Sequence, residues 1–192
     1  DTDRSRGLGD VYKRQDQNGT IDENDRTKIG KGMPDWTYGV NLTATWRGFD
    51  FYIFFQGAAG NDIFDATRRI DALASNLPSY MLNRWTGEGT SNTMPRFVQA
   101  DPYNWQSSDL MVYDGSYFRL KNIQLGYTLP EKITRKAFIS KFRVYVAAEN
   151  LKTWTKYHGF DPEISSGGTS LGIDYGVYPQ ARVWTVGCNL SF

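Results

Sequence analysis

Residues 36–46 have the sequence WTYGVNLTATW, in which apolar and polar residues alternate without a break. Its even positions are apolar and its odd positions are small or polar; the two sets are Trp36, Tyr38, Val40, Leu42, Ala44 and Trp46, and Thr37, Gly39, Asn41, Thr43 and Thr45. Successive side chains of a β-strand point to opposite faces, so the pattern predicts a strand with one apolar face. An apolar band with an aromatic residue at each end is typical of a strand that faces membrane lipid.

A second strand is predicted immediately after Arg47 and Gly48. Its apolar positions alternate with a more polar set; the two sets are Phe49, Phe51, Ile53 and Phe55, and Asp50, Tyr52, Phe54 and Gln56. Because two residues connect the strands, the pair is predicted to form a β-hairpin.

Three further segments alternate in the same way, and we predict strands at Tyr117–Leu129, Lys141–Leu151 and Arg182–Phe192. Their apolar positions are Ile123, Leu125, Tyr127 and Leu129 in the first, Phe142, Val144, Val146 and Ala148 in the second, and Trp184, Val186, Cys188, Leu190 and Phe192 in the third. Phe118 and Leu120 are out of phase with Ile123, which predicts a β-bulge or a stretch that projects beyond the membrane.

The connections between these strands alternate in length. The hairpin turn has two residues, 57–116 has about sixty, 130–140 about eleven and 152–181 about thirty. Bacterial outer-membrane barrels have short periplasmic turns and long extracellular loops. The pattern therefore predicts that 57–116 and 152–181 are extracellular, together with everything up to Asp35.

Composition excludes several other classes of protein. Lys and Arg number 22 against 21 Asp and Glu, a balance that argues against a generic nucleic-acid surface. The single cysteine, Cys188, excludes an internal disulfide framework and multi-cysteine metal sites. No run approaches the roughly 18 apolar residues of a membrane-spanning helix. Barrel strands need only about 9 to 11 alternating residues. Such strands do not raise the mean hydropathy, which is -0.55 for this chain.

The first long loop combines helical periodicity with aromatic side chains. Within 65–85, apolar residues at helical spacing predict one or two short helices interrupted by Pro78; they are Ile70, Leu73, Leu77 and Met81. Tyr103 and Trp105 follow, and a sugar-like ligand could stack on their rings. A loop that folds its own small core over the barrel rim is the alternative that we favour.

Four blocks of this sequence resemble, in order, the C-terminal part of the SusC/RagA family of TonB-dependent outer-membrane transporters. They are DQNGTIDENDRTKIGKGMPDWTYGVNLTATWRGFDFYIFFQGAAGNDIF, GSYFRLKNIQLGYTLP, KFRVYVAAENLKTWTKYHGFDPE and YPQARVWTVGCNLSF. The resemblance covers about residues 16–192. Residues 1–15 match less well and are interpreted as a non-native or disordered leader.

The resemblance implies a fold and a function. The fold is all-β: about the five last strands of a 22-stranded antiparallel transmembrane β-barrel, with long extracellular loops that contain short helices. The whole protein would import glycans or peptides through the outer membrane of Bacteroidetes, without catalysis or a cofactor. Its partners would be a SusD-like surface lipoprotein, the TonB complex and outer-membrane lipid, with no nucleic acid, and its plug domain and TonB box would lie upstream.

Candidate chemistry in the loops is weak. Asp16, Asn18 and Asp22 offer oxygen ligands for calcium, but their spacing lacks the EF-hand pattern, so an acidic turn is favoured. His158 is the one histidine, and we expect a surface residue rather than a metal ligand or a catalytic base. Asp161 and Glu163 form an acid pair that a glycosidase would need, but no second element supports that function.

The last predicted strand carries the sharpest signal. Trp184, Val186, Leu190 and the terminal Phe192 form an apolar series that resembles the signal recognised by the barrel-assembly machinery. A soluble β-sandwich carbohydrate-binding module is the competing hypothesis, because alternation alone also describes a sheet with one face in a core. The alternating loop lengths and the aromatic strand ends favour the barrel.

Overall fold

A computed structural model describes residues 27–67, 79–96, 107–164 and 171–192. Five long antiparallel strands form one sheet in the order β1-β2-β5-β6-β8. They are β1 (Trp36–Trp46), β2 (Phe49–Ala59), β5 (Tyr117–Thr128), β6 (Lys141–Thr155) and β8 (Val183–Ser191). Each long strand pairs with the next long strand along the chain, which is the connectivity of a barrel wall.

The hairpin between β1 and β2 is confirmed, with Trp46 opposite Phe49 and Trp36 opposite Ala59. Arg47 and Gly48 both have positive φ, at 46° and 89°, as a type I′ turn requires. A glycine suits the second position because it reaches this region without steric cost, and because a Cβ there would press on the Thr128 carbonyl oxygen. The turn fixes the register that places the apolar positions of both strands on one face.

The predicted bulge lies at Lys121. Phe54 pairs with Asn122 and Phe55 with Leu120, so Lys121 is the extra residue in β5. The bulge brings Leu120 and Phe118 onto the same face as Ile123. β6 is irregular beside it, at Asn150 and Leu151, and Asn150 has a φ of 53°. The phase change in the sequence is therefore a local insertion within one continuous strand.

The observed strand boundaries differ modestly from the predicted ones. β2 continues to Ala59 and β6 to Thr155, whereas β5 stops at Thr128 and β8 runs from Val183 to Ser191. Phe192 therefore lies one residue beyond the strand, not within it as we predicted. β6 runs past its predicted end because the register with β5 resumes after the bulge, where Lys152 pairs with Leu120.

The two ends of the sheet are built differently. The turn end carries the hairpin turn and residues 129–140, which contain a short helix α1 (Glu131–Thr134) and a 3-10 helix (Arg135–Ala137). The loop end carries a second sheet of three short strands in the order β4-β3-β7. These strands are β3 (Asp62–Asp65), β4 (Val112–Asp114) and β7 (Ile173–Asp174).

The helix prediction for the first long loop is partly testable. Ile70, Leu73 and Leu77 lie outside the described residues. Met81 lies on a 3-10 helix (Ser79–Asn83) and is buried. Within the described part of the chain, no helix has the length and apolar character needed to cross a membrane.

Candidate functional site

The sheet presents an apolar face whose side chains are largely exposed. Trp36 is 74% exposed, Leu42 53% and Val186 83%. Exposed apolar area of this extent is unusual in a soluble monomer, and it marks a surface that another phase or partner covers. A β-sandwich would cover this face with a second sheet, and no described residue does so.

Aromatic rings line both edges of the apolar face. At the loop end, Phe118 stacks on Phe55 with ring centroids 5.0 Å apart and lies 5.6 Å from Trp154. At the turn end, Phe49 and Tyr127 are 4.5 Å apart. The ten residue steps of β1 span about 33 Å, which at a tilt of about 45° gives a height near the roughly 25 Å apolar band of outer-membrane barrels.

The opposite face of the sheet is polar. Near the turn end, Arg143 Nε donates to Asp50 Oδ1 at 2.8 Å, and the missing side chain of Gly126 leaves space for this ion pair. Tyr52 Oη donates to Asn41 Oδ1 at 2.9 Å. Side chains of this kind require water, ligand or further protein beside them, so this face suits the inside of a barrel.

Near the loop end, the polar face is covered by the chain that follows β6. Arg119, on β5, is 2% exposed and lies under this segment. Its Nη1 donates to Glu163 Oε2 at 2.7 Å, its Nη2 contacts Asp161 Oδ1, and its Nε donates to Thr153 Oγ1 at 2.9 Å. The guanidinium thus joins the sheet to the loop. We call Arg119, Asp161 and Glu163 the loop anchor.

The loop anchor satisfies most of its polar atoms. Asp161 Oδ1 also accepts from the Glu163 amide, and its Oδ2 accepts from the Gln180 amide, both at 2.9 Å. Lys121 Nζ lies 3.1 Å from Glu163 Oε2, so two cations face two carboxylates. Removing one member of such a buried set leaves an uncompensated charge, which is why the arrangement holds the loop in place.

The bulge explains how the anchor forms. If β5 were regular and Lys121 paired like its neighbours, Arg119 would lie on the same face as Ile123, which is the apolar face. With it, both Arg119 and Lys121 reach the loop carboxylates on the polar face. The irregularity in β5 therefore places charge where the loop needs it.

A second buried carboxylate joins the loop to the small sheet. Tyr157 Oη donates to Asp174 Oδ2 at 2.6 Å, and Asp174 Oδ1 accepts from the amides of Gly176 and Val177. Burial first, and then the hydrogen bond to Asp174, raise the pKa of the Tyr157 hydroxyl well above its ordinary value. Tyr157 therefore stays a neutral donor at physiological pH.

The small sheet has its own apolar core and polar edge. Ile63 is 1% exposed, and Met111 and Met81 are also buried. The hydrogen bonds of Asp114 to the hydroxyl and amide of Ser116 lower the pKa of that carboxyl. His158 Nε2 lies 3.4 Å from Asp65 Oδ2, and its ring packs against Tyr113. The sequence predicts a surface residue at position 158; His158 is exposed, and one contact of its ring is with Tyr113 of this sheet.

The other residues singled out in the sequence divide by position. Tyr103, Trp105, Asp16, Asn18 and Asp22 lie outside the described residues, so stacking and calcium binding there stay predictions. Trp184, Val186 and Leu190 lie on the apolar face of β8, with Phe192 just beyond it. Among the described residues, no group of three or more His, Cys, Asp or Glu side chains could hold a metal ion.

The loop anchor is not predicted by any pattern in the sequence. Asp161 and Glu163 stand in the sequence only as an acid pair, whereas both are paired with Arg119 in the structure. The available signal was the position of Arg119 in the out-of-phase half of a strand, next to the predicted bulge. A charged side chain at that position is stable only if it pairs with an opposite charge or points to the polar face of the sheet.

Comparison with known proteins agrees with this architecture. The chain is 36% identical to TonB-dependent receptor P3 of Formosa agariphila over 96% of this chain and 19% of the relative, and 26% identical to TonB-dependent receptor SusC of Bacteroides thetaiotaomicron over 96% and 18%. It superposes on the RagAB peptide transporter with a TM-score of 0.73 and 30% identity, covering 90% of this chain and 19% of that one. No protein-family model matches.

The chain spans about a fifth of the length of the curated relatives that it matches. The antiparallel barrel segment predicted from the alternating strands is confirmed. The chain belongs to the SusC/RagA family of TonB-dependent receptors.

Proposed function

We propose that this chain forms part of the wall of an outer-membrane barrel through which a TonB-dependent receptor imports a bulky nutrient. The observation that carries the proposal is the division of one sheet into an exposed apolar face and a polar face. The apolar face meets lipid, and the polar face lines the path or contacts protein inside the barrel. The relatives are named as receptors, and the RagAB structures as those of a peptide importer.

The nutrient is proposed to be a glycan or a peptide. The polar face supports either, because its hydroxyl, amide and paired charged groups can hydrogen-bond to sugar hydroxyls or to peptide groups. The TonB complex would supply energy through parts of the receptor outside this chain. A SusD-like surface lipoprotein is the proposed partner at the loop end, where the small sheet forms a compact surface.

Uptake by the receptor that contains this chain tests the proposal. Cells that carry the receptor should accumulate fluorescent oligosaccharides or peptides of one class, and deleting either the receptor or TonB should abolish that accumulation. Uptake of every tested glycan and peptide that is unchanged by both deletions would contradict import.

We further propose that the apolar series on β8 is recognised during barrel assembly. Trp184 and Val186 are 71% and 83% exposed, and Phe192 is 89% exposed, so this edge is available to another protein. Replacing Phe192 with serine in the receptor should lower its level in the outer membrane, whereas replacing the polar-face residue Thr185 with serine should not. Equal levels for both variants would contradict the recognition of β8.

Residues 16–192 are proposed to form the barrel portion, and residues 1–15 a leader outside the fold. Both segments begin outside the described residues. Replacing residues 1–15 in the receptor with a Gly-Ser sequence of the same length should leave uptake unchanged, and a loss of uptake would contradict this assignment.

A further inference from the structure

The connection between β5 and β6 at the turn end exposes apolar and basic side chains together. Phe138 is 89% exposed and Ile133 is 58% exposed. Lys132 precedes Ile133, Arg135 and Lys136 lie between Ile133 and Phe138, and all three are exposed. The one acidic residue of this short segment is Glu131, whose carboxylate lies 3.4 Å from the Arg135 guanidinium. The segment from Glu131 to Phe138 therefore has a net positive charge and two unpacked apolar groups.

The backbone holds Phe138 outward. Its φ of 58° lies in the left-handed region, which a bulky residue rarely adopts. The amide of Phe138 donates to the Arg135 carbonyl at 3.1 Å and that of Ile139 to the Thr134 carbonyl at 3.2 Å, so the turn is closed beneath the ring. Thr134 is buried inside the turn. The exposed ring therefore projects from a turn that these two hydrogen bonds close.

This segment is joined to the turn end of the sheet. The Leu129 amide donates to the Phe142 carbonyl at 2.9 Å, and the Ser140 amide to the Ser191 carbonyl at 2.8 Å, so both ends of the segment are held by the wall. The apolar face of the sheet also ends at the turn end, in the aromatic pair Phe49 and Tyr127. If the apolar face lies in lipid, the segment lies at the level of the headgroups.

We propose that residues 131–138 dock onto anionic phospholipid headgroups of the leaflet at the turn end, and this inference rests on the proposed function. Phe138 and Ile133 enter the boundary between headgroups and acyl chains. Lys132, Arg135 and Lys136 bind lipid phosphates. Apolar anchors combined with basic residues at a membrane surface are the chemistry that recognises anionic lipid. An acidic protein partner would match the charges but would not account for the two exposed apolar side chains at the end of the lipid-facing wall.

Spin labels on the receptor test this docking. In a Cys188→Ser background, labels are placed at Phe138→Cys, Val186→Cys and Tyr178→Cys, and the receptor is reconstituted in nanodiscs of phosphatidylethanolamine with or without phosphatidylglycerol. Tyr178 is the matched control, since it is 87% exposed at the loop end. Collision with oxygen and with a water-soluble nickel chelate gives the depth of each label.

The label at 138 should collide with oxygen more than the label at 178 does, and phosphatidylglycerol should reduce its collision with nickel at least about twofold, since each basic residue near an anionic surface favours contact roughly fivefold. Changing Lys132, Arg135 and Lys136 to glutamine should remove the effect of phosphatidylglycerol. These residues are exposed, so the fold should be unaffected.

The failures of the two proposals are distinguishable. If the label at 186 is in lipid but the label at 138 collides freely with nickel in both lipids, the docking proposal is overturned and the barrel wall stands. If the label at 138 is shielded from oxygen and nickel alike, protein covers the segment and the docking proposal is also overturned. If the label at 186 is in water, the wall itself is wrong.

Discussion

The five long strands form a wall, and the small sheet β4-β3-β7 together with the chain that follows β6 forms a cap at the loop end of that wall. The wall and the cap are stabilised in opposite ways. The wall exposes its apolar side chains, such as Val186 at 83%, and depends on an apolar environment. The cap buries its own small core, with Ile63 at 1%, and ties it to the wall through buried charges such as Arg119 at 2%. The contrast shows that a membrane protein segment can have a local core outside the membrane while its membrane part has none.

The loop anchor gives the largest expected effect. Replacing Arg119 with methionine leaves Asp161 buried without its cation and should destabilise the cap by about 3–5 kcal/mol. Limited proteolysis of the receptor should then cleave within 156–181, while the wall stays protected. Arg119→Lys is the matched variant: it keeps the charge but cannot bridge both carboxylates, so cleavage should be intermediate. Equal protection of all three proteins would show that the anchor does not hold the loop.

The wall should be broken by charge on one face and tolerate it on the other. Leu42→Arg places a cation on the apolar face near the middle of β1 and should destabilise the folded receptor by about 2–4 kcal/mol. Thr43→Arg places the same cation on the polar face, at the adjacent position, and should change the free energy of unfolding little. Urea titration in lipid vesicles measures both. A Thr43 variant as unstable as the Leu42 variant would remove the distinction between the faces.

Removing the hydrogen bond to the second buried carboxylate, Asp174, should have a smaller effect. Tyr157→Phe removes the donor to Asp174 and leaves that carboxylate oxygen buried, at a cost of about 1–3 kcal/mol. Faster hydrogen exchange at the amides of Gly176 and Val177 would report it. Tyr113→Phe removes a hydroxyl that donates to the Leu110 carbonyl instead, and should leave those two amides unchanged.

Alkaline pH should loosen the same contact. Because the folded pKa of Tyr157 is raised above its ordinary value of 10.0, this tyrosine contributes stability below about pH 10 and loses it as the pH rises further. The protection factor of the Gly176 amide, which is corrected for the base-catalysed exchange of a free amide, should therefore fall above pH 10 in the native receptor. The Tyr157→Phe variant should show no such change in exchange above pH 10. A change of equal size in that variant would mean that another group causes it.

Acidic pH should have the smallest effect. The pKa of Asp114 is lowered in the folded state from its ordinary 3.8, so its contribution to stability is present above that value and is lost as the pH falls through the folded pKa. Asp114→Asn should make the cap less sensitive to pH below 3.8, measured by proteolysis with an acid-active protease. An unchanged acid response would exclude Asp114 as its source.

The wall could be predicted from sequence because its information is local. A strand reveals its faces by alternation, so β1 was predicted with its observed ends, and the bulge was visible as a phase change between Leu120 and Ile123. The C-terminal ends of β2 and β6 could not be predicted in this way. Ala59 and Thr155 are part of these strands because they pair with Trp36 and Tyr117 on the neighbouring strands, not because the alternation reaches them.

The cap could not be predicted because its contacts join distant residues. Arg119 and Asp161 are 42 positions apart, and Gln56 and Glu163 are 107 apart. No periodicity marks such pairs, and Asp161 offers the same signal whether it caps a turn, binds a cation or faces water. The three short strands of the small sheet are also too brief to show alternation.

The most direct test of the central claim is a cysteine scan of residues 37–45 in the full receptor, with Cys188 replaced by serine. A membrane-impermeant thiol reagent is applied to the receptor in lipid vesicles opened to both sides. If β1 faces lipid, labelling should follow a period of two, with labelling at odd positions such as Thr43 and protection at even positions such as Leu42. Uniform labelling along β1, or protection with the opposite phase, would contradict a lipid-facing wall.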